Sequence, residues 1–260
     1  MSSRPSVSHV VVTGTSGAIG GALAREVRVR YPSAHLTLVD VRSEETHALG
    51  AELGNASSEI VDLSRADVVP NLVERAEARQ GAIDGLINAA GFMDVRRLER
   101  FAWSDAARLL DVDLLAPLRL LHAVVPSMSE RGNGFVVNVT SMAGRVPLRG
   151  CSVYGAAKAG LSMASENAHA ELAERGVRVV TVYPGPVASR LEAAARAQFE
   201  RSVLARAVPT GQARALARRV LDAVRDGRAR VVYPSIYELG YRAVNLASRF
   251  ALALGPEPVA

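Results

Sequence analysis

Short apolar runs return along the chain, separated by longer stretches whose apolar residues recur at helical spacing. Val7–Thr13, His35–Val39, Ile60–Val61, Gly85–Asn88, Gly134–Thr140 and Val177–Tyr183 predict strands. Their nearly continuous, β-branched character suits strands covered on both faces. Ala18–Val29, Val68–Gln80, Ser104–Met128 and Val153–Arg175 carry helical patterns. Such alternation predicts a doubly wound α/β fold, a parallel sheet with right-handed crossovers and helices on both faces. A seventh strand is expected at Ala229–Tyr233, after a helix that begins near Thr210 and stops at Gly227, where glycine suits a C′ position. Residues 1–260 read as a single domain. Leu191–Pro209 breaks the alternation and reads as a substrate lid over 188–210.

Composition narrows the function classes. The chain is 49% hydrophobic, carries a formal charge of +5 and has a sequence pI near 9.9. Bare positive charge could attract nucleic acid, and arginines do cluster between Arg214 and Arg230. Acidic residues are interspersed, aromatics are only 5%, and no nucleic-acid-binding motif is present, so a solvated helix face is expected instead. No apolar run reaches the roughly 20 residues of a membrane helix. The first residues lack the apolar core of a signal peptide, and one cysteine, Cys151, fits a reducing cytoplasm. The five histidines show no ligand spacing, so no metal is expected.

Two features carry chemistry. Val12-Thr13-Gly14-Thr-Ser16-Gly17-Ala-Ile19-Gly20 is a strand entering a glycine-rich turn that opens a helix. Its glycines let backbone N–H groups approach an anion at a helix N-terminus. Asp40 closes the second strand, where a carboxylate can accept from adenosine ribose hydroxyls and repel a 2′-phosphate. That favours NAD over NADP, with Arg42 two residues on pulling the other way. Separately, of 31 basic residues a single one is lysine, Lys158, four residues after Tyr154. The pair shares a helix face, and a nearby ammonium is expected to lower the pKa of the phenol toward useful acid/base catalysis. Ser141, closing a strand thirteen residues earlier, can stabilise developing alkoxide charge.

With these motifs in order, the chain resembles the short-chain dehydrogenase/reductase family along nearly its whole length. The matching stretches are Thr13–Gly20, Asp62 in Val61-Asp62-Leu63, Asn88-Ala89-Ala90-Gly91, Ser141, Tyr154 with Lys158, and Pro184-Gly185-Pro186-Val187. The resemblance implies that Asp62 and Leu63 hold the adenine ring. It implies that Asn88, Ala89 and Ala90 close the fourth strand against the cofactor, and that Pro184, Gly185, Val187 and Ser189 border the nicotinamide. Lys158 would also grip the nicotinamide ribose. Asp113 stands where the family usually has asparagine, whose carbonyl anchors a water beside the lysine. A carboxylate there could accept from that water or pair with Lys158 and blunt its effect on Tyr154. A homodimer or homotetramer is implied as well, with 104–128 and 153–175 as oligomer faces.

Hydride transfer between NAD(H) and a fairly apolar secondary alcohol or ketone is the leading reading. A non-catalytic NAD(H)-binding protein on the same fold is the alternative, and nothing argues for a lyase or epimerase. On the substrate side, Leu191–Pro209 offers Phe199, Val203 and Leu204 as lining. Tyr233, Tyr237 and Tyr241, followed by Val244, Leu246, Phe250 and Leu252, make residues 233–260 a stripe for core, subunit interface, substrate pocket or membrane surface. Cys151 reads as a small buried apolar side chain.

Overall fold

The computed structural model describes residues 7–199 and 209–259. Seven parallel strands form one sheet: β1 (His9–Thr13), β2 (His35–Asp40), β3 (Ala56–Ile60), β4 (Gly85–Asn88), β5 (Gly134–Val139), β6 (Val177–Pro184) and β7 (Arg230–Tyr233). Their order is β3-β2-β1-β4-β5-β6-β7. Because side chains alternate faces along a strand, Val10 and Val12 enter one core and Val11 the other. On the first face pack α1 (Ala18–Arg30), α2 (Ser43–Leu53) and a late helix, Ala213–Asp226, through Leu23, Val27, Leu49, Leu216 and Val220. On the second face pack α3 (Val68–Gln80), α5 (Ala116–Glu130) and α6 (Ser152–Leu172), through Leu72, Leu120, Val124 and Ala168. Two covered faces explain why the inner strands are largely apolar. The chain reverses direction across the sheet between β1 and β4, and at such a switch point the strand ends open a crevice.

The departures from expectation have local causes. β3 is Ala-Ser-Ser-Glu-Ile, an edge strand too polar for its pattern to show, so only its last residue was legible. The predicted helix over 104–128 is instead α4 (Trp103–Leu110), a wide turn of π-type at Asp111–Leu115, and α5. α2 was not predicted: its moderate polarity reads as loop. The predicted lid contains a helix, α7 (Arg190–Ala197), while Val203 and Leu204 fall outside the described residues. The late helix, α8, ends at Gly227 with left-handed backbone (φ 68°). The tyrosine stripe is not one helix. Tyr233 ends β7, Pro234 interrupts, and two short helices follow, α9 (Tyr237–Arg242) and α10 (Val244–Leu254). Tyr233 and Tyr241 are buried, whereas Leu246, Phe250 and Leu252 are exposed. Among the described residues no helix is long and apolar enough to cross a membrane.

Candidate active site

A cleft of about 1340 Å³ runs along the carboxyl ends of the strands. At one end lies the glycine-rich turn. Gly14 adopts φ +72°, and a Cβ there would stand 2.5 Å from the Ala89 carbonyl, so the turn packs directly against the loop after β4. Thr13 locks the two together, its hydroxyl accepting the Ala89 and Ala90 N–H groups at 3.1 Å each. Gly17 is the N-cap of α1 with no side-chain cap and no acid in the first turn, so the helix end offers N–H donors and positive potential to the cleft.

Asp40 is buried at the end of β2 and braces the turn. One carboxylate oxygen accepts from Ser16 N at 2.8 Å and the other from Arg42 N at 3.1 Å. Asp62 accepts from Ser64 N at 3.0 Å, and that bond holds its carboxyl below the usual range. Gly14, Ser16, Gly17, Ile19, Gly20, Asp40, Asp62, Leu63, Ala89 and Ala90 all line the cleft. Asn88 does not. Its side chain turns inward, its amide donating to Asn138 Oδ1 at 2.8 Å, and Asn138 in turn donates to Ser165 Oγ at 2.8 Å. The residue expected against a cofactor instead ties β4 to β5 and α6, because a buried amide between two strands must find its partner within the sheet.

Midway along the cleft, Ser141, Tyr154, Lys158 and Asp113 converge. Ser141 follows β5, its hydroxyl accepting from Ala143 N at 3.1 Å and interacting with Tyr154. Tyr154 and Lys158 lie one turn apart on α6, with Nζ 5.8 Å from the ring centre. The wide turn between α4 and α5 delivers Asp113 beneath them, fully buried, with Oδ1 2.7 Å from Lys158 Nζ. Its other oxygen accepts from Phe92 N at 3.1 Å. Gly91 makes room, since a Cβ would lie 2.5 Å from Asp113 Oδ1 and 3.2 Å from Nζ.

The electrostatics correct the expectation for Tyr154. Burial pushes its hydroxyl up, and although Lys158 pulls down, Asp113 pushes up again, leaving a phenol above its ordinary value. Burial works against the Lys158 ammonium, but Asp113 and Tyr154 outweigh it and hold the lysine above its usual range. Burial raises Asp113 against the pull of Lys158. Of the two roles open to Asp113, direct pairing with Lys158 is the one the geometry adopts.

Pro184, Gly185, Val187 and Ser189 line the cleft beyond β6, and the Ser189 hydroxyl also caps α7, accepting from Glu192 N at 2.9 Å. The far wall is apolar: Phe92, Met93, Leu148, Leu191, Phe199 and Phe250. Arg108 and Arg149 reach the same space and were not read from sequence, since nothing separates them from the other twenty-eight arginines. Cys151 is buried outside the cleft lining, its thiol pushed up by burial to about 12. Among the described residues no cluster could hold a metal.

The model of the short chain dehydrogenase family matches residues 8–200. The chain belongs to that family. Nodulation protein G of Rhizobium meliloti (strain 1021) is 36% identical over 182 residues, covering 70% of this chain and 74% of that protein. A fatty acyl-CoA reductase of Mycobacterium tuberculosis is 35% identical over 201 residues, covering 73% and 66%. A short-chain dehydrogenase from Sphingobium yanoikuyae in complex with NADPH superposes with a TM-score of 0.78 at 25% identity, over 95% of this chain and 96% of that one. This short-chain dehydrogenase is therefore an oxidoreductase with the Rossmann-type sheet of its relatives.

Proposed function

We propose that the protein transfers hydride between NAD(H) and a fairly apolar secondary alcohol or ketone. The observation that carries this reading is the convergence of Ser141, Tyr154 and Lys158 in the cleft whose other end is the glycine-rich turn. A dinucleotide fits the residues present: an uncapped helix N-terminus for the pyrophosphate, Asp40 for the adenosine ribose, Asp62 and Leu63 for the adenine, and Lys158 with Pro184–Val187 for the nicotinamide half. Bound there, the nicotinamide would supply or accept the hydride. Ser141 would hold the substrate oxygen, and Tyr154 would give or take its proton within hydrogen-bond reach. The apolar wall from Met93 to Phe250 supports a lipophilic substrate, as does kinship with a fatty acyl-CoA reductase. Leu191 and Phe199 of the expected lid, with Tyr237 and Phe250 of the C-terminal segment, would form the substrate side of the site.

NAD is proposed over NADP because a 2′-phosphate would meet the Asp40 carboxylate, although a structural relative carries NADPH and Arg42 also lines the cleft. Exposed Trp103 and Met163, on α4 and α6, support assembly into a homodimer or homotetramer, which sedimentation would read directly. The test of function is a panel of alcohols and ketones followed at the reduced-nicotinamide absorbance band with both cofactors. Turnover with NADH by the native protein and none by Tyr154→Phe is expected. Tight NADH binding with no turnover by either would favour the second reading, a non-catalytic dinucleotide-binding protein, whose support is the Asp113–Lys158 pair. Asp40→Ala is expected to shift preference toward NADPH by about tenfold, the worth of one charge-assisted hydrogen bond. No shift would remove Asp40 from cofactor choice.

A further inference from the structure

An ammonium has three donors. Lys158 Nζ is ion-paired with Asp113 Oδ1 at 2.7 Å and donates to the Val139 carbonyl at 3.3 Å. Asp113 is held at its far oxygen by Phe92 N, and Gly91 closes over both groups with no space for a side chain. The carboxylate is 0% exposed and the lysine side chain 5%. Two buried opposite charges in contact form a unit of zero net charge, and this holds whichever partner carries the proton. Tyr154 therefore faces a dipole rather than a free cation, and a phenolate gains little beside a neutral pair.

Among the described residues no other group replaces the missing charge at close range: besides Lys158 and Asp113, only Ser141 and Cys151 act on Tyr154. Cys151, just before α6, is held as a neutral thiol. Asp111 in the wide turn lies 3.9 Å from Arg119, and Arg149 is ion-paired with Glu257. Arg108 on α4 stands over the Phe92 ring, 5.9 Å from its centre. Ser141 brings a hydroxyl that does not titrate.

We infer that Asp113 is a positioning residue that keeps Tyr154 a phenol through the neutral range and so sets this site to reduce carbonyls. The inference rests on the acid/base role proposed for Tyr154. In that direction the Tyr154 O–H bond would break and its proton would go to the carbonyl oxygen, while a bound reduced nicotinamide would supply the hydride to the carbonyl carbon and be oxidised. The reverse reaction needs the phenolate and waits for alkaline pH.

Tyrosinate absorbance tests this without a substrate, each protein being titrated against its own Tyr154→Phe counterpart. Asp113→Asn keeps the shape and leaves one net positive charge, so the Tyr154 midpoint is expected to fall by about one pH unit or more. Asp113→Asn combined with Lys158→Met restores zero net charge, and its midpoint is expected within about half a pH unit of the native one. An unmoved midpoint in Asp113→Asn overturns the inference. Should that variant fail to fold, the double variant decides alone. A midpoint well above the native one would mean the pair had been acting as a cation, and the inference falls. Failure of the wider reading looks different: Tyr154→Phe would then turn over the ketone panel undiminished, whatever the titrations give.

Discussion

Helix α6 carries two clusters built from the same residue types, a tyrosine, an acid and a cation, and they behave differently. Near its start, Tyr154, Lys158 and Asp113 are all buried at the cleft. Farther along, Glu166 accepts from Tyr183 at 2.8 Å and Tyr241 at 3.1 Å, while Arg230 donates to the Tyr241 hydroxyl at 2.9 Å. The guanidiniums of Arg145 and Arg230 lie over the Tyr241 ring, 4.6 and 5.5 Å from its centre. There Glu166 and Arg230 remain partly in water. That second cluster clips α9 to α6 and the edge of the sheet. Its phenols are pushed up, first by burial and with help from Glu166, so they stay donors in a staple. Planar arginine suits stacking over a ring. Compact lysine suits the narrow space between Asp113, Gly91 and a phenol.

The difference is sharpest in activity. Tyr154→Phe is expected to lower kcat/KM about a thousandfold with dinucleotide affinity retained. Tyr241→Phe should leave kcat/KM unchanged and show only in thermal melting. If both variants lose activity equally, the two clusters do not divide as chemistry and staple. Next in size, Lys158→Arg is expected to cost about a hundredfold or more in kcat/KM, because a guanidinium cannot enter between Asp113 and Gly91 without displacing them. Arg230→Lys should keep full turnover. Equal tolerance of both exchanges would show that the single lysine of this chain has no special task.

For the staple the expected loss is in stability. Glu166→Gln weakens two charge-assisted hydrogen bonds and the contact with Arg230, for about 1–3 kcal/mol. In a chain of this size that lowers Tm by several degrees, on the order of 2–4 °C per kcal/mol. Calorimetry reads the loss, and an unchanged Tm would remove Glu166 as a staple.

The sheet and the cleft were legible in sequence for one physical reason: strands covered on both faces must be apolar, and an anion-binding turn must be small. Six of the seven strands show as full runs, and β3 shows only at Ile60 because an edge strand tolerates Ser57, Ser58 and Glu59. The positions of Ser141, Tyr154 and Lys158 follow from spacing on one strand and one helix. What spacing could not show is what depends on distant partners. Asn88 turns to Asn138, Asp40 braces Ser16, and Asp113 reaches Lys158 only because of a wide turn inside an apparently continuous helix. Lys158 does pull the phenol down, but spacing could not show that burial, helped by a counter-charge from another element, outweighs it. The staple escaped entirely, as Glu166, Tyr183, Arg230 and Tyr241 share no local pattern.

His9 offers the smallest and cleanest separation of stability from activity. It starts β1, at the opposite end of the strand from the glycine-rich turn, and is fully buried. One ring nitrogen lies 2.9 Å from the Gly81 carbonyl and the other 2.9 Å from Thr37 Oγ1. Burial, helped by nearby His35 and opposed by the Gly81 carbonyl, holds its pKa below the ordinary 6.5. Between its native value and 6.5 the unfolded chain binds the extra proton, so stability rises with pH there. The contribution is complete above 6.5 and is lost as pH falls through the native value. Denaturant midpoints measured downward from neutral pH should therefore decline, and His9→Gln should flatten that decline. Because no part of His9 meets the cleft, the pH profile of kcat/KM should be the same in both proteins. A matching change in the kinetic profile would show that the two ends of β1 are coupled.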